Sequence, residues 1–228
     1  MVRVVVFAEG QTEEQFIKRV VAPSLMPSMV SLEPQLLKTS QQAKGGAIHF
    51  DRLRFHARNT LRTSSAPILS TFLDLYALDA NFPAFADARK QTNIYSRVSQ
   101  LEDALHQAIV REAGCRPERF IPHIQPYEFE GLLFSDIDAL CTLEKDWHSF
   151  QGKLNSIRNS CDNPEHINDS YETKPSKRLE DTLTPKYRKT RHGPLAAERI
   201  TLEVIEKNCP HFRGWMEKLR KLSPHWPQ

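Results

Sequence analysis

An apolar run from Val2 to Phe7, closed by Ala8-Glu9-Gly10 and followed at once by Thr12-Glu13-Glu14-Gln15, dictates how this chain begins to fold. Val2, Val4, Val5, Val6 and Phe7 are β-branched or aromatic and lack the polar alternation of a half-exposed strand. The run therefore reads as a central parallel strand covered on both faces. Thr12 and Gln15 have the spacing of a capping box, and Gly10 frees the turn before it, so a helix is expected immediately after the strand. Glu9 then stands in the strand-to-helix crevice where open α/β sheets bind ligands.

The pattern repeats. Phe16, Val20 and Val21 mark a crossover helix ending near Pro23, and Leu32 to Thr39 reads as a short extended segment. Phe50, Leu53, Ala57 and Leu61 recur at helical spacing. Pro67 to Asp74 is a second central strand that again ends in a carboxylate. Ile94 to Ile109 forms a long amphipathic helix that stops near Gly114, Arg119 to Gln125 is a strand, and Leu132 to Leu140 is helical. Such alternation predicts an α/β fold with a parallel sheet and helices on both faces. From Trp147 onward the strand signal is gone, so the expected division is an α/β domain over 1–145 and a helical extension over 146–228 packed on it.

At 228 residues the chain can fill one sizeable core. Its formal charge of +3 permits contact with nucleic acid without requiring it. No apolar run approaches the roughly 20 residues that span a bilayer, and the start lacks the length of a signal peptide, so a soluble cytoplasmic protein without membrane contact is expected. Cys115, Cys141, Cys161 and Cys209 form no C-x-x-C pair and suggest neither a zinc knuckle nor a disulfide framework.

Parallel topology gathers Glu9, Asp74, Glu128 and Glu130 at one sheet edge. Clustered carboxylates repel one another unless a cation intervenes, and hard oxygen ligands favour Mg²⁺ or Mn²⁺. The expected chemistry is metal-dependent phosphoryl transfer, with these four residues as metal ligands and catalytic groups. Glu128 and Glu130 share a face only in extended backbone, so at most one is expected to ligate directly. Glu13, Glu14, Glu128 and Glu130 also fit the acidic first turn of a helix, which leaves Glu13 a secondary candidate.

At these residues the chain resembles the TOPRIM domains of topoisomerases, primases and OLD-type nucleases, in which one apolar strand ends in Glu-Gly and a later one in Asp-x-Asp. The segments F-A-E-G-Q-T-E-E-Q-F, F-L-D-L-Y-A-L, Y-E-F-E-G-L-L-F-S-D, P-S-K-R-L and C-P-H-F-R-G-W look like successive motifs of a bacterial TOPRIM-like family of unknown function. The resemblance covers nearly the whole chain. It implies that Glu9 is a metal ligand or general acid/base and Asp74 the first aspartate of the pair, and that the second aspartate is replaced by Tyr76. Either Glu128 or Glu130 supplies the absent ligand, or the site binds metal weakly and is inactive. The resemblance further implies a nuclease on DNA or RNA, a neighbouring ATPase as partner and a context of phage defence. The alternative is an inactive subunit that uses the same fold to bind that ATPase or nucleic acid.

Lys174, Lys177, Arg178, Lys186, Arg188, Lys189 and Arg191 form a basic run that either cradles a phosphate backbone or is a solvated face. The resemblance at P-S-K-R-L draws Lys177, as a catalytic cation, and Arg178 toward the acidic site. Lys44-Gly45-Gly46 offers at most a small phosphate nest, since no P-loop pattern is present. His49, His56, His123 and His211 show no metalloprotease or zinc-finger spacing, and His123 is expected to be packed in a strand.

Overall fold

The computed structural model describes residues 1–37, 48–63, 65, 67–168 and 170–222. The strands are β1 (Val2–Ala8), β2 (Val30–Leu36), β3 (Ile68–Asp74), β4 (Phe120–Ile121) and β5 (Ile124–Gln125). All pair in parallel, in the order β2-β1-β3-β4, with β5 continuing along β3 beyond β4. The chain lays β2 on one side of β1 and β3 on the other, so the order reverses between β1 and β3. A crevice opens there at the carboxyl ends of both strands, carrying Glu9 and Asp74.

The unbroken apolar character of β1 follows from its neighbours. Val4, Val6 and Ala8 face one core, with Phe16, Phe72, Phe129 and Trp215, while Val5 and Phe7 face a second, with Leu53, Leu69, Leu101 and Leu105. The second face is covered by α3 (Phe50–Leu61) and α5 (Ile94–Ala113), preceded by the single turn α4 (Phe85–Ala88). Asn93 caps α5 by accepting from the amides of Tyr95 and Ser96, and Gly114 ends it with φ +63°.

The first face is covered by α1 (Gln11–Phe16), α6 (Ile137–Cys141), α7 (Gln151–Asn159), α8 (Pro175–Thr182), α9 (Lys189–Ile200), α10 (Leu202–Asn208) and α11 (Pro210–Arg220), with short α2 (Ala22–Leu25) after α1. Among the described residues none after Gln125 is in a strand. Trp147, Phe212 and Trp215 nevertheless share one core with Val4 and Phe72. No helix among the described residues is long and apolar enough to cross a membrane.

Several local expectations change. No capping box forms at Thr12: Gly10 is the N-cap, extended at φ −146°, and Thr12 is buried. Gly10 also lies close to the acidic cluster, since a Cβ there would be 3.0 Å from Glu13 Oε2. The first helix passes through Pro23 by widening into a π turn over Ile17–Val21, where the amide of Ala22 reaches the carbonyl of Ile17. That wide turn removes the clash a proline ring makes with the carbonyl four residues back. The extended segment expected over 32–39 is β2, Val30–Leu36, and Lys44-Gly45-Gly46 lies outside the described residues.

The strand expected over 119–125 is split at Pro122-His123. Pro122 has no N–H to donate. Thr71 patches the gap: its Oγ1 accepts from the His123 amide at 2.9 Å and donates to the His123 carbonyl at 3.0 Å. The helix expected over 132–140 is instead a 3₁₀ run, Phe129–Ser135, followed by α6, whose N-cap Asp136 accepts from the amide of Ala139.

Candidate active site: four carboxylates around one lysine

Glu9 follows β1, Glu13 stands in the first turn of α1, Asp74 ends β3 and Glu130 lies in the 3₁₀ run after β5. Lys189, the first residue of α9, reaches in from the opposite end of the chain. Its Nζ lies 3.4 Å from Glu13 Oε1, 3.5 Å from Asp74 Oδ2 and 3.4 Å from Glu130 Oε2. Charge-assisted N–H···O bonds run about 2.7–2.9 Å. The ammonium is therefore suspended among three carboxylates rather than bonded to one.

The carboxylates are held by the backbone. Asp74 Oδ1 accepts from the amide of Phe129 at 2.8 Å, and the amide of Asp74 approaches Glu9 Oε2 at 3.4 Å. Tyr187 donates its hydroxyl to Glu130 Oε1 at 3.3 Å. α9 lies so close to α1 that a Cβ at Gly193 would be 2.8 Å from Thr12 Cγ2 and 3.1 Å from Tyr187 Oη. Gly193 is one helical turn beyond Lys189, so this close approach delivers the lysine to the cleft. Glu144 fixes the same helix start from outside, 2.8 Å from Arg191 Nη2 and 3.2 Å from His192 Nε2.

The cleft is short of positive charge. Burial, reinforced by the Glu13 charge, pushes the Glu9 carboxyl up to about 7 despite Lys189. Burial pushes Glu130 up to about 7 and Asp74 well above the usual carboxylate range. Lys189 itself is held charged, because Asp74, Glu130 and Glu13 outweigh its desolvation. Glu13 Oε1 and Glu130 Oε2 are buried without any hydrogen-bond partner. An all-oxygen, anionic donor set with two such orphaned atoms fits a hard divalent cation.

Glu128 is placed elsewhere, 2.8 Å from Lys174 Nζ and 3.0 Å from the amide of Ser176, so it anchors the start of α8. Lys177 points away and closes on Asp181 at 2.6 and 2.7 Å, and Arg178 Nε donates to the Thr173 carbonyl. Lys186 and Arg188 are exposed on either side of Tyr187, whereas Arg191 is paired with Glu144. Tyr76 bonds Asn168 through its hydroxyl and packs beside Tyr127 at 5.8 Å, so it does not join the carboxylates.

Sequence reasoning placed Lys189 in a basic run that contacts nucleic acid or solvent, not among the carboxylates, and left Glu13 secondary. Gly193-Pro194 inside a helix, four residues after Lys189, is the signal that this segment is packed rather than solvated.

A parallel sheet with helices on both faces and a buried acidic cluster at its switch point defines an α/β protein with a carboxylate-rich cleft. The chain belongs to the family described as Domain of unknown function (DUF4276), which matches residues 8–220. No curated protein and no solved structure matches it.

Proposed function

We propose that this chain is a Mg²⁺- or Mn²⁺-dependent nuclease that hydrolyses phosphodiester bonds of DNA or RNA in the acidic cleft. The observation that carries this reading is the Lys189 ammonium suspended among Glu13, Asp74 and Glu130, with too little positive charge for the carboxylates around it. The strand ending in Glu9-Gly10 beside the strand ending in Asp74 supports a TOPRIM-like relationship, and Glu13 with Glu130 makes up for the carboxylate missing at Tyr76.

Glu9, Glu13, Asp74 and Glu130 would hold the ion, which supplies Lewis-acid activation of water and charge stabilisation at the leaving oxygen. In the ion-free cleft Glu9 is raised to about 7, and it would serve as general acid/base only when it is not itself a ligand of the ion. Lys189 is a cation on a flexible stem that can leave the carboxylates for a phosphate oxygen. Tyr187 keeps its proton and orients Glu130. Lys186 and Arg188 would meet the flanking backbone phosphates. An ATPase partner and a role in phage defence are the context proposed for this activity.

One observation favours a second reading. Tyr76 faces Asn168 and Lys189 occupies the centre of the cluster, as a subunit that has exchanged catalysis for binding an ATPase or nucleic acid would show. Cleavage of supercoiled, linear and single-stranded substrates with Mg²⁺ or Mn²⁺ separates the two. Activity abolished by Glu9→Gln and by Asp74→Asn in folded protein establishes the nuclease; no cleavage by wild type, with or without the ATPase, selects the binding subunit.

A further inference from the structure

A second cluster of ligand-type side chains lies beside Phe72, built from residues other than those of the acidic cleft. Glu102 comes from α5, His123 from the break between β4 and β5, and His211 from the first turn of α11. We propose that Glu102, His123 and His211 bind one divalent ion of the zinc class, stapling α5 and α11 to the sheet edge.

The ligand atoms converge. Glu102 Oε1 lies 2.9 Å from His211 Nε2 and 3.8 Å from His123 Nδ1, and all three atoms are within 4.8 Å of one another. A tetrahedral Zn²⁺ with bonds of about 2.0–2.1 Å separates its ligand atoms by about 3.3–3.5 Å, between those two values. Two imidazoles on one such ion have ring centres about 5 Å apart. The rings of His123 and His211 are 5.0 Å apart.

His123 is prepared as a ligand. Its Nε2 donates to Gln125 Oε1 at 3.2 Å, which leaves the lone pair on Nδ1. Nδ1 faces Glu102 Oε1 at 3.8 Å, beyond hydrogen-bond distance, inside a residue that is 1% exposed. A cation between them would take the place of the proton that His211 Nε2 shares with Glu102 Oε1 at 2.9 Å. Burial and the nearby His211 hold His123 neutral, the form that ligates. His211 is the opposite case: burial lowers it, but the hydrogen bond to Glu102 and the charges of Glu102 and Glu165 hold it above its ordinary value, so an ion would have to displace its Nε2 proton.

The surrounding bonds orient the set as outer partners do in metal sites. Gln125 fixes His123, the amide of Ile124 donates to Glu102 Oε1 at 2.7 Å, and Glu165 Oε2 accepts from the amide of His211. Two nitrogens and one carboxylate suit Zn²⁺ or Co²⁺ better than Mg²⁺. Gln125 is paired in register with Asp74, so an ion here would steady the strand end that carries the acidic cleft.

The test uses untagged full-length protein in excess Mg²⁺, which occupies the acidic cleft, with Co²⁺ or Zn²⁺ added. The expected result is one equivalent of Co²⁺ with the visible bands of a four-coordinate site. Wild-type ¹H–¹⁵N spectra with Zn²⁺ then show ligation shifts at His123 Nδ1 and His211 Nε2, and His211→Ala loses the bound ion. Because the nitrogen shifts are read in wild type, they do not depend on how the variant folds. Unmoved imidazole nitrogens, or equal binding by His211→Ala, would overturn the proposal and leave Glu102 and His211 as an ordinary buried ion pair.

Discussion

Lys189 Nζ and Asp74 Oδ2 approach to 3.5 Å, joining the first turn of the ninth helix to the end of the third strand. Neither group is tolerable there alone: Asp74 is 3% exposed, and Lys189 meets three acidic neighbours. The pair is therefore both a structural tie and a competitor for any cation the cleft admits.

Removing the competitor separates these roles. Lys189→Met leaves buried carboxylates uncompensated and is expected to destabilise the ion-free protein by about 3–5 kcal/mol. Mn²⁺ should bind more tightly than in wild type and restore most of that stability. Denaturant melts with chelator and with Mn²⁺ check this; a variant as stable as wild type in chelator contradicts it.

The protons held in the cleft give a pH signature. Glu9 and Glu130 rise from 4.5 to about 7 on folding, so between those values the folded chain binds protons that the unfolded chain has released. Stability is thus full below pH 4.5 and is lost as pH rises through about 7, by up to about 3 kcal/mol for each carboxyl. Lys189 stays charged in both states over this window and does not reverse the slope. Urea melts across the window should show the decline in chelator and a flatter profile with Mg²⁺; a flat profile in chelator would refute the assignment.

Glycine-to-alanine exchange should have opposite signs at two helices. At Gly193 the added methyl meets Thr12, Phe129 and Tyr187, so overpacking costs about 1–3 kcal/mol and shifts Lys189 away from the carboxylates. At Gly214 nothing lies within 4 Å, and alanine should gain up to about 1 kcal/mol of helix stability. Thermal melts of both variants, with cleavage or Mn²⁺ binding for the first, decide the matter.

Glu165 works as a cap supplied from outside its helix. Its oxygens accept from the amides of His211 and Phe212, both at 2.9 Å, and from the Tyr95 hydroxyl at 3.0 Å. Glu165→Ala strands these buried donors and should cost about 1–3 kcal/mol, with loss of near-ultraviolet signal from Trp215 as α11 loosens. Unchanged stability would show that water replaces the carboxylate.

If nucleic acid runs past Tyr187, Lys186→Ala and Arg188→Ala should each lower the salt dependence of binding by about one phosphate contact. Lys177→Ala should not, since its ammonium is engaged by Asp181. Binding isotherms over a salt series measure the slopes.

What the sequence disclosed follows the range of its signals. Strand β1, the end of β3 at Asp74 and the amphipathic α5 are written in local apolar spacing, and parallel topology alone brings Glu9 beside Asp74. The interruption at Pro122-His123 was hidden because its repair comes from Thr71, far away in the chain. Lys189 looked like one more cation of a basic run facing nucleic acid or solvent because its burial depends on Gly193 meeting Thr12. Glu128 and Glu130 were indistinguishable by spacing; the anchoring of Glu128 by Lys174 and Ser176 separates them. Glu102, His123 and His211 share no spacing, since they meet only in three dimensions.

The lysine at the centre of the cleft belongs to a helix that begins at residue 189, whereas the carboxylates it serves begin at residue 9. During synthesis every acidic residue of the cleft leaves the ribosome before its counter-charge does. A partly made chain therefore keeps that end of the sheet wet and open, and the buried acidic cleft comes into being only when the helix that carries Lys189 closes over it.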